Sequence, residues 1–138
     1  MDYRISAHRQ DGHGSIAMAK TAELTMDTDP AGRPDAFNPV ELLLATLAAC
    51  MIKGVERIAP RLTFAFDGID VALQALRQDS PPKLVKITYQ IAVTTTETDA
   101  RLDLLHRNIL KYGTISNTLL AAVPMEGTIT RVQDCAAI

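Results

Sequence analysis

Chemistry in this chain would have to start from Cys50, Cys135, the three histidines or a small set of carboxylates and guanidinium groups. Cys50 closes the apolar run Leu42-Leu43-Leu44-Ala45-Thr46-Leu47-Ala48-Ala49-Cys50. A thiol so placed is either an inert small hydrophobe or a protected nucleophile. Being in the middle of a helix, it gains nothing from the positive end of the helix dipole, so a low thiol pKa would need a nearby Arg or His. Glu41 could act as an acid or orient a substrate by hydrogen bonding, and it could equally complete a helix cap. Nine residues at about 100° each put Glu41 and Cys50 on opposite sides of one helix, about 13 Å apart along its axis. The two could therefore serve one substrate only across a subunit interface. Arg33 lies in the loop before the helix, while Arg9 and His13 flank the first turn and read more readily as solvated surface residues.

Neither cysteine belongs to a CxxC pair, and His8, His13 and His106 show no metal-ligand spacing with them. No metal is expected. Gly12-His13-Gly14 lacks the third glycine and the strand-to-helix setting of a dinucleotide fingerprint, so it reads as a turn and no cofactor is expected. Cys135, close to the C-terminus of the sequence, reads as a passive thiol.

The elements that would position these residues can be read from spacing. Asp2 to His8 and Ser15 to Thr28 are β-like stretches separated by the turn residues Asp11-Gly12-His13-Gly14, which predicts a hairpin or meander. A loop rich in breakers, Asp29 to Pro34, leads to Asn38-Pro39-Val40-Glu41, a helix start with a capping Asn, Pro at the first helical position and Glu three after the cap. That helix should run to about Ala59 and stop at Pro60. Its first half is apolar nearly all round, so something must cover it on most sides. Two long antiparallel strands are expected between Leu62 and Arg77 and from Val85 to Val93, where apolar residues alternate. Helical spacing returns from Thr98 to Tyr112, with Gly113 placed to close the helix, and a short helix is expected from Ser116 to Val123. Gly127 to Asp134 reads as a last strand. The whole is an α+β domain, with segments 1–36, 38–59, 62–96, 98–123 and 127–134.

Composition narrows the partners. At 138 residues the chain fits one domain with a substantial core. Its 14 basic and 16 acidic side chains are scattered without a Lys/Arg cluster, which argues against nucleic acid. The apolar run from Val40 to Ile52 carries Glu41 and is shorter than the ~20 residues a bilayer span needs, so no membrane partner is expected. Charges near the N-terminus occupy the place where a signal peptide has its apolar core, so a cytoplasmic location is expected.

The stretch from Phe37 to Cys50, with a Pro, a Glu, an apolar helix and a cysteine after small residues, resembles the hallmark of the OsmC-like (OsmC/Ohr) family. Lys111 to Leu119 resembles that family's later motif. The resemblance implies an OsmC-like fold in which antiparallel sheets wrap buried central helices in an intertwined homodimer, with two sites at the interface. In the family's peroxidase members the first cysteine attacks an organic hydroperoxide as thiolate, becomes a sulfenic acid and is trapped by a second cysteine, and external dithiols then reduce the enzyme. An arginine and a glutamate assist. Carried over, the attacking cysteine is Cys50, while the second cysteine falls on Gly113 and its proline on Thr114. The peroxidase glutamate falls on Val40, and Glu41 matches a less characterised branch. Arg33 is the first choice for the arginine and Arg9 the second. The activity implied by the resemblance is reduction of a small organic hydroperoxide through Cys50, with the resolving thiol supplied by a dithiol reductant from outside or by Cys135. The alternative is a non-peroxidase member that binds a small apolar ligand in the interface pocket.

Overall fold

The computed structural model describes residues 1–133. Its chain forms two compact units, Met1–Ala45 and the remainder from Thr46 onward.

In the first unit, β1 (Ser6–Arg9), β2 (Gly14–Ala19) and β3 (Ala22–Asp27) make an antiparallel meander in the order β1-β2-β3. The expected second stretch is thus two strands rather than one. Ala19 pairs with Ala22, and Lys20 adopts φ +55° to allow so tight a reversal. A lysine in the left-handed region is uncommon, so neither Lys20 nor Thr21 signals this turn in the sequence. The first turn is organised by Asp11, whose Oδ1 accepts from the backbone of His13 at 2.8 Å and of Gly14 at 3.1 Å. After β3 the chain returns beside Met26 through a bridge to Phe37 and enters α1 (Pro39–Ile58).

The second unit is built on the rest of α1, β4 (Gly68–Asp79), β5 (Pro82–Thr94), α2 (Asp99–Tyr112), α3 (Thr114–Leu120) and β6 (Met125–Val132). Pro60 does stop α1, but the chain tightens into a 3-10 turn over Ala59–Leu62 and crosses a left-handed Thr63 (φ +50°) before extending. The strand expected from Leu62 therefore begins at Gly68. Pro suits the first turn of such a helix because its missing N–H would be unpaired there anyway.

β4 and β5 pair antiparallel from Gly68↔Thr94 to Asp79↔Pro82, with one irregularity at Leu76/Arg77. The expectation of purely antiparallel sheets fails at β6, which lies parallel to β5 from Ile87↔Met125 to Thr94↔Val132. The cause is the connection. A long crossover containing α2 and α3 returns the chain to the starting end of β5, which a short hairpin cannot do. α3 begins at Thr114 rather than Ser116, and β6 starts at Met125 rather than Gly127, while Asp134 lies outside the described residues.

The core of this unit is laid down by two periodicities. Ile87, Tyr89, Ile91 and Val93 are buried at every second residue of the central strand β5, and Leu102, Leu105 and Ile109 are buried at helical spacing on α2. Leu47, Met51, Val55 and Ile58 of α1 are buried as well. Full burial of a Leu or Ile side chain contributes roughly 1.5–3 kcal/mol, so these rows hold the unit together. No helix among the described residues is long and apolar enough to cross a membrane.

Candidate functional site

The start of α1 is set by reciprocal hydrogen bonds. Asn38 Oδ1 accepts from the Glu41 amide at 2.9 Å, and the Asn38 amide donates to Glu41 Oε1 at 3.0 Å. This is the capping box the sequence predicted, and it engages the Glu41 carboxylate locally. Arg33 is engaged as closely. Its Nε and Nη2 donate to the two carboxylate oxygens of Asp35 at 2.6 and 2.7 Å, and its amide donates to Asp27 Oδ2 at 3.1 Å. The Asp35 hydrogen bond raises the Arg33 pKa further and holds the Asp35 carboxyl below the usual carboxylate range. Arg33 Nη1 lies 2.6 Å from where a Cβ on Gly14 would stand, so a side chain there would push the guanidinium aside.

The loop between β3 and α1 hangs on aspartates. Asp27, 6% exposed, accepts from the amides of Asp29 and Arg33, and Asp29 accepts from Ala31 and from His13 Nδ1 at 2.7 Å. Arg9, Asp11, Ser15 and Thr28 line a shallow cavity of about 300 Å³ beside this loop. The sequence places Arg33 in the loop but gives no direct sign that Asp27, Asp29 and Asp35 organise it. The Asp-X-Asp-Pro spacing was the available signal, since Asp side chains bond backbone amides two residues on.

Cys50 carries a free thiol in α1 and is half-buried. The buried stripe of α1 is Leu47, Met51, Gly54, Val55 and Ile58. Cys50 stands about 80° around the axis from the centre of that stripe. Exposed Thr46, Ala49 and Lys53 lie on its other side. Its sulfur is therefore at the edge of the packed face rather than sealed within it. α1 meets α2 where a Cβ on Gly54 would lie 3.3 Å from Ile109 Cβ, one turn beyond Cys50.

Gly113 joins α2 to α3. It has φ −81° and ψ 114°, so it ends α2 without the left-handed conformation expected of a closing glycine. Glycine is required there by space instead. An added Cβ would stand 2.8 Å from the Ile109 carbonyl oxygen and 3.0 Å from Ser116 Oγ. Ser116 is 0% exposed, and its hydroxyl has no hydrogen-bond partner among the described residues. The sequence offered no sign of that.

Tyr89 and His106 were also missed as a pair. The Tyr89 hydroxyl and His106 Nε2 share a hydrogen bond at 2.6 Å; burial lowers the pKa of His106 and raises that of Tyr89. The Tyr89 ring lies across Gly127 of β6, 2.4 Å from where a Cβ would stand. Arg101 pairs with Glu97 one turn earlier on α2's approach and donates to the carbonyls of Leu62 and Thr63, tying down the turn after α1. Among the described residues, no three His, Cys, Asp or Glu side chains gather in a metal-binding arrangement. Cys135 lies outside the described residues.

The fold is shared with solved proteins. An OsmC-like protein from Mycoplasma pneumoniae superposes with a TM-score of 0.87 at 20% identity, over 96% of this chain and 98% of that one. An organic hydroperoxide resistance protein from Elizabethkingia anophelis does so with a TM-score of 0.76 at 14% identity, over 96% and 99%. These matches define the class: an α+β protein of OsmC-like fold. The sequence pattern of the family described as "OsmC-like protein" matches residues 32–127, and the chain belongs to that family. Protein GvpD2 of Halobacterium salinarum is 32% identical over 95 residues, which are 67% of this chain and 19% of that protein. The chain thus spans about a fifth of that relative's length.

Proposed function

We propose that this protein is a thiol-dependent reductase of small organic hydroperoxides, acting through Cys50 with an altered resolving step in oxidative stress defence as a cytoplasmic homodimer. The observation that carries the reading is the contrast between two positions. Cys50 keeps its thiol at the edge of the packed face of α1, while Gly113 has no room for a side chain. Family membership and the names of several neighbours of the same fold, organic hydroperoxide resistance proteins, supply the substrate class.

In the first step the Cys50 thiolate attacks the outer peroxide oxygen. An S–O bond forms, the O–O bond breaks, and the alkoxide takes a proton and leaves as the alcohol. Cys50 is then a sulfenic acid. A thiol of an external dithiol attacks that sulfur, forming S–S as the oxygen leaves with protons as water. The second thiol of the dithiol displaces Cys50, restoring its thiolate and leaving the reductant as a disulfide. The apolar first half of α1 fits a helix covered by a second copy, and a monomer in analytical ultracentrifugation would count against the assembly.

A second reading is a non-peroxidase member that binds a small organic ligand at the interface. One observation favours it: Arg33 and Glu41 are both engaged by their own neighbours, Asp35 and Asn38. The deciding experiment is cumene hydroperoxide consumption with dithiothreitol, comparing wild type, Cys50→Ser and Cys135→Ser after subtraction of the uncatalysed rate. Turnover lost in Cys50→Ser supports the reductase, and further dependence on Cys135 would name an internal resolving thiol. Wild-type turnover no greater than that of Cys50→Ser sinks the reductase and leaves ligand binding.

A further inference from the structure

Of the residues one turn from Cys50 on α1, namely Thr46, Leu47, Lys53 and Gly54, only Lys53 carries a charge. Lys53 and Arg57 are both exposed, and neither has an ion pair or a side-chain hydrogen bond among the described residues. Four residues apart, these two cations repel each other and weaken the helix slightly. Arg57 is accounted for by its place in the last turn of α1, where a cation meets the negative end of the helix dipole. Lys53 lies outside that turn. It also stays unpaired with Glu56, three residues on, although side chains so spaced can meet.

The direction of its side chain supplies a role. Helical side chains lean toward the N-terminus, so the surface a residue covers lies over the turn before its own Cα. For Lys53 that turn carries Ala49 and Cys50, and Cβ atoms so spaced are about 5–6 Å apart. Ala49 is small and exposed, which leaves room for the lysine stem, and Arg57 repels the ammonium from the opposite end. Cys50 is half-buried at the edge of the packed face, and Lys53 stands about 60° around the axis on its exposed side. Glu56 lies a further 60° or so round, with Lys53 between it and the thiol. The guanidinium of Arg33 is taken up by Asp35. On α2, which meets α1 at Ile109, the titratable residues one turn from Ile109 are His106, hydrogen-bonded to Tyr89, and Tyr112, whose ring faces Lys111.

Resting on the reductase reading, we propose that Lys53 is a positioning residue for the Cys50 thiolate, its ammonium drawing in beside the sulfur as the thiol ionises and holding the charge until the peroxide is attacked. The thiolate is the nucleophile, and a neighbouring cation favours it. The thiol proton goes to solvent, Lys53 keeps all of its own, and no bond of Lys53 forms or breaks. A unit charge about 6 Å away in water-like surroundings favours the thiolate roughly threefold, and salt weakens the effect.

The test compares wild type, Lys53→Met, Lys53→Arg and Arg57→Met in the full chain. Two rates are read for the Cys50 peptide by mass spectrometry: labelling with iodoacetamide across pH, and single-turnover oxidation by cumene hydroperoxide. Near pH 7 in low salt, Lys53→Met should label and oxidise roughly threefold more slowly than wild type. The gap should close near pH 10, where the thiol ionises in either protein, and in about 1 M salt. Lys53→Arg should restore most of the wild-type rate, and Arg57→Met, changed one turn further off, should slow it less than Lys53→Met does. Equal rates in wild type and Lys53→Met would overturn the proposal and leave the reductase reading standing. So would a slowing that persists at high pH and high salt, which would mark a change of shape rather than of charge, or an equal slowing in Arg57→Met. If wild type takes up no oxygen at Cys50, the reductase reading falls, and the labelling profile alone decides whether Lys53 holds the thiolate.

Discussion

The two units of this chain are stabilised by different means. From Thr46 onward, rows of Leu, Ile and Val on β5, α1 and α2 are buried at the periodicities of their elements. In Met1–Ala45 no apolar side chain is fully buried, and the buried polar residues are Ser15 and Asp27. Ile5, Leu24 and Phe37 there are 70%, 47% and 51% exposed. Order in the first unit comes from Asx turns, the Arg33–Asp35 pair and the capping box. A small sheet without a buried face is marginal on its own. Accordingly, the candidate thiol belongs to the unit with an apolar core, at the edge of its packed face, and the candidate Arg33 and Glu41 belong to a unit ordered by polar contacts that salt and pH can reach.

The sharpest way to break this contrast is to truncate equivalent leucines. Leu105→Ala, at a residue 0% exposed, should destabilise the protein by about 2–5 kcal/mol in urea unfolding. Leu24→Ala should change stability by no more than about 0.5 kcal/mol. Similar effects at the two sites would show that the first unit has a core of its own. Next in size is the cap: Asn38→Ala removes the acceptor for the Glu41 amide and should cost about 1 kcal/mol in the same assay. A neutral result would mean that packing alone fixes the start of α1.

The smallest effect separates two histidines. Burial lowers the pKa of His106, so it protonates more readily in the unfolded chain, and stability should decline as pH falls below 6.5 until the folded-state value is passed. His13 behaves oppositely. Its hydrogen bond to Asp29 raises its pKa, so that stabilisation is present below 6.5 and is lost as pH rises through the folded-state value. The second effect should be slight and salt-sensitive because the pair is exposed. Proton NMR titration should find His106 below and His13 above 6.5, and coincident midpoints would defeat the contrast.

Legibility in the sequence divides differently, between local rules and placement set by distant parts of the chain. Alternation on β5, the 3.6-residue spacing on α2 and the Asn38–Glu41 cap could all be read, because each is a local rule with one structural outcome. Lys20 could not, since a left-handed lysine is dictated by strand pairing on both sides rather than by its own preference. The parallel direction of β6 depends on where a long crossover delivers the chain, and spacing within the strand is the same for either direction. At the site, Cys50 stood out by residue type and setting. Ser116 did not, because being unpaired is a property of its surroundings, and a serine in a short helix looks ordinary.

The parallel pairing of β6 also sets an order of events as the chain emerges during synthesis. β4 and β5 are joined by a short hairpin and can zip together as soon as Thr94 is available. β6 must wait for Met125 to Val132, and it reaches β5 only by closing the long segment that contains both α2 and α3. Until then, the far edge of β5 presents unpaired backbone groups between buried Ile87, Ile91 and Val93. A half-made chain therefore carries a sticky strand edge, and this is the interval in which aggregation competes with folding.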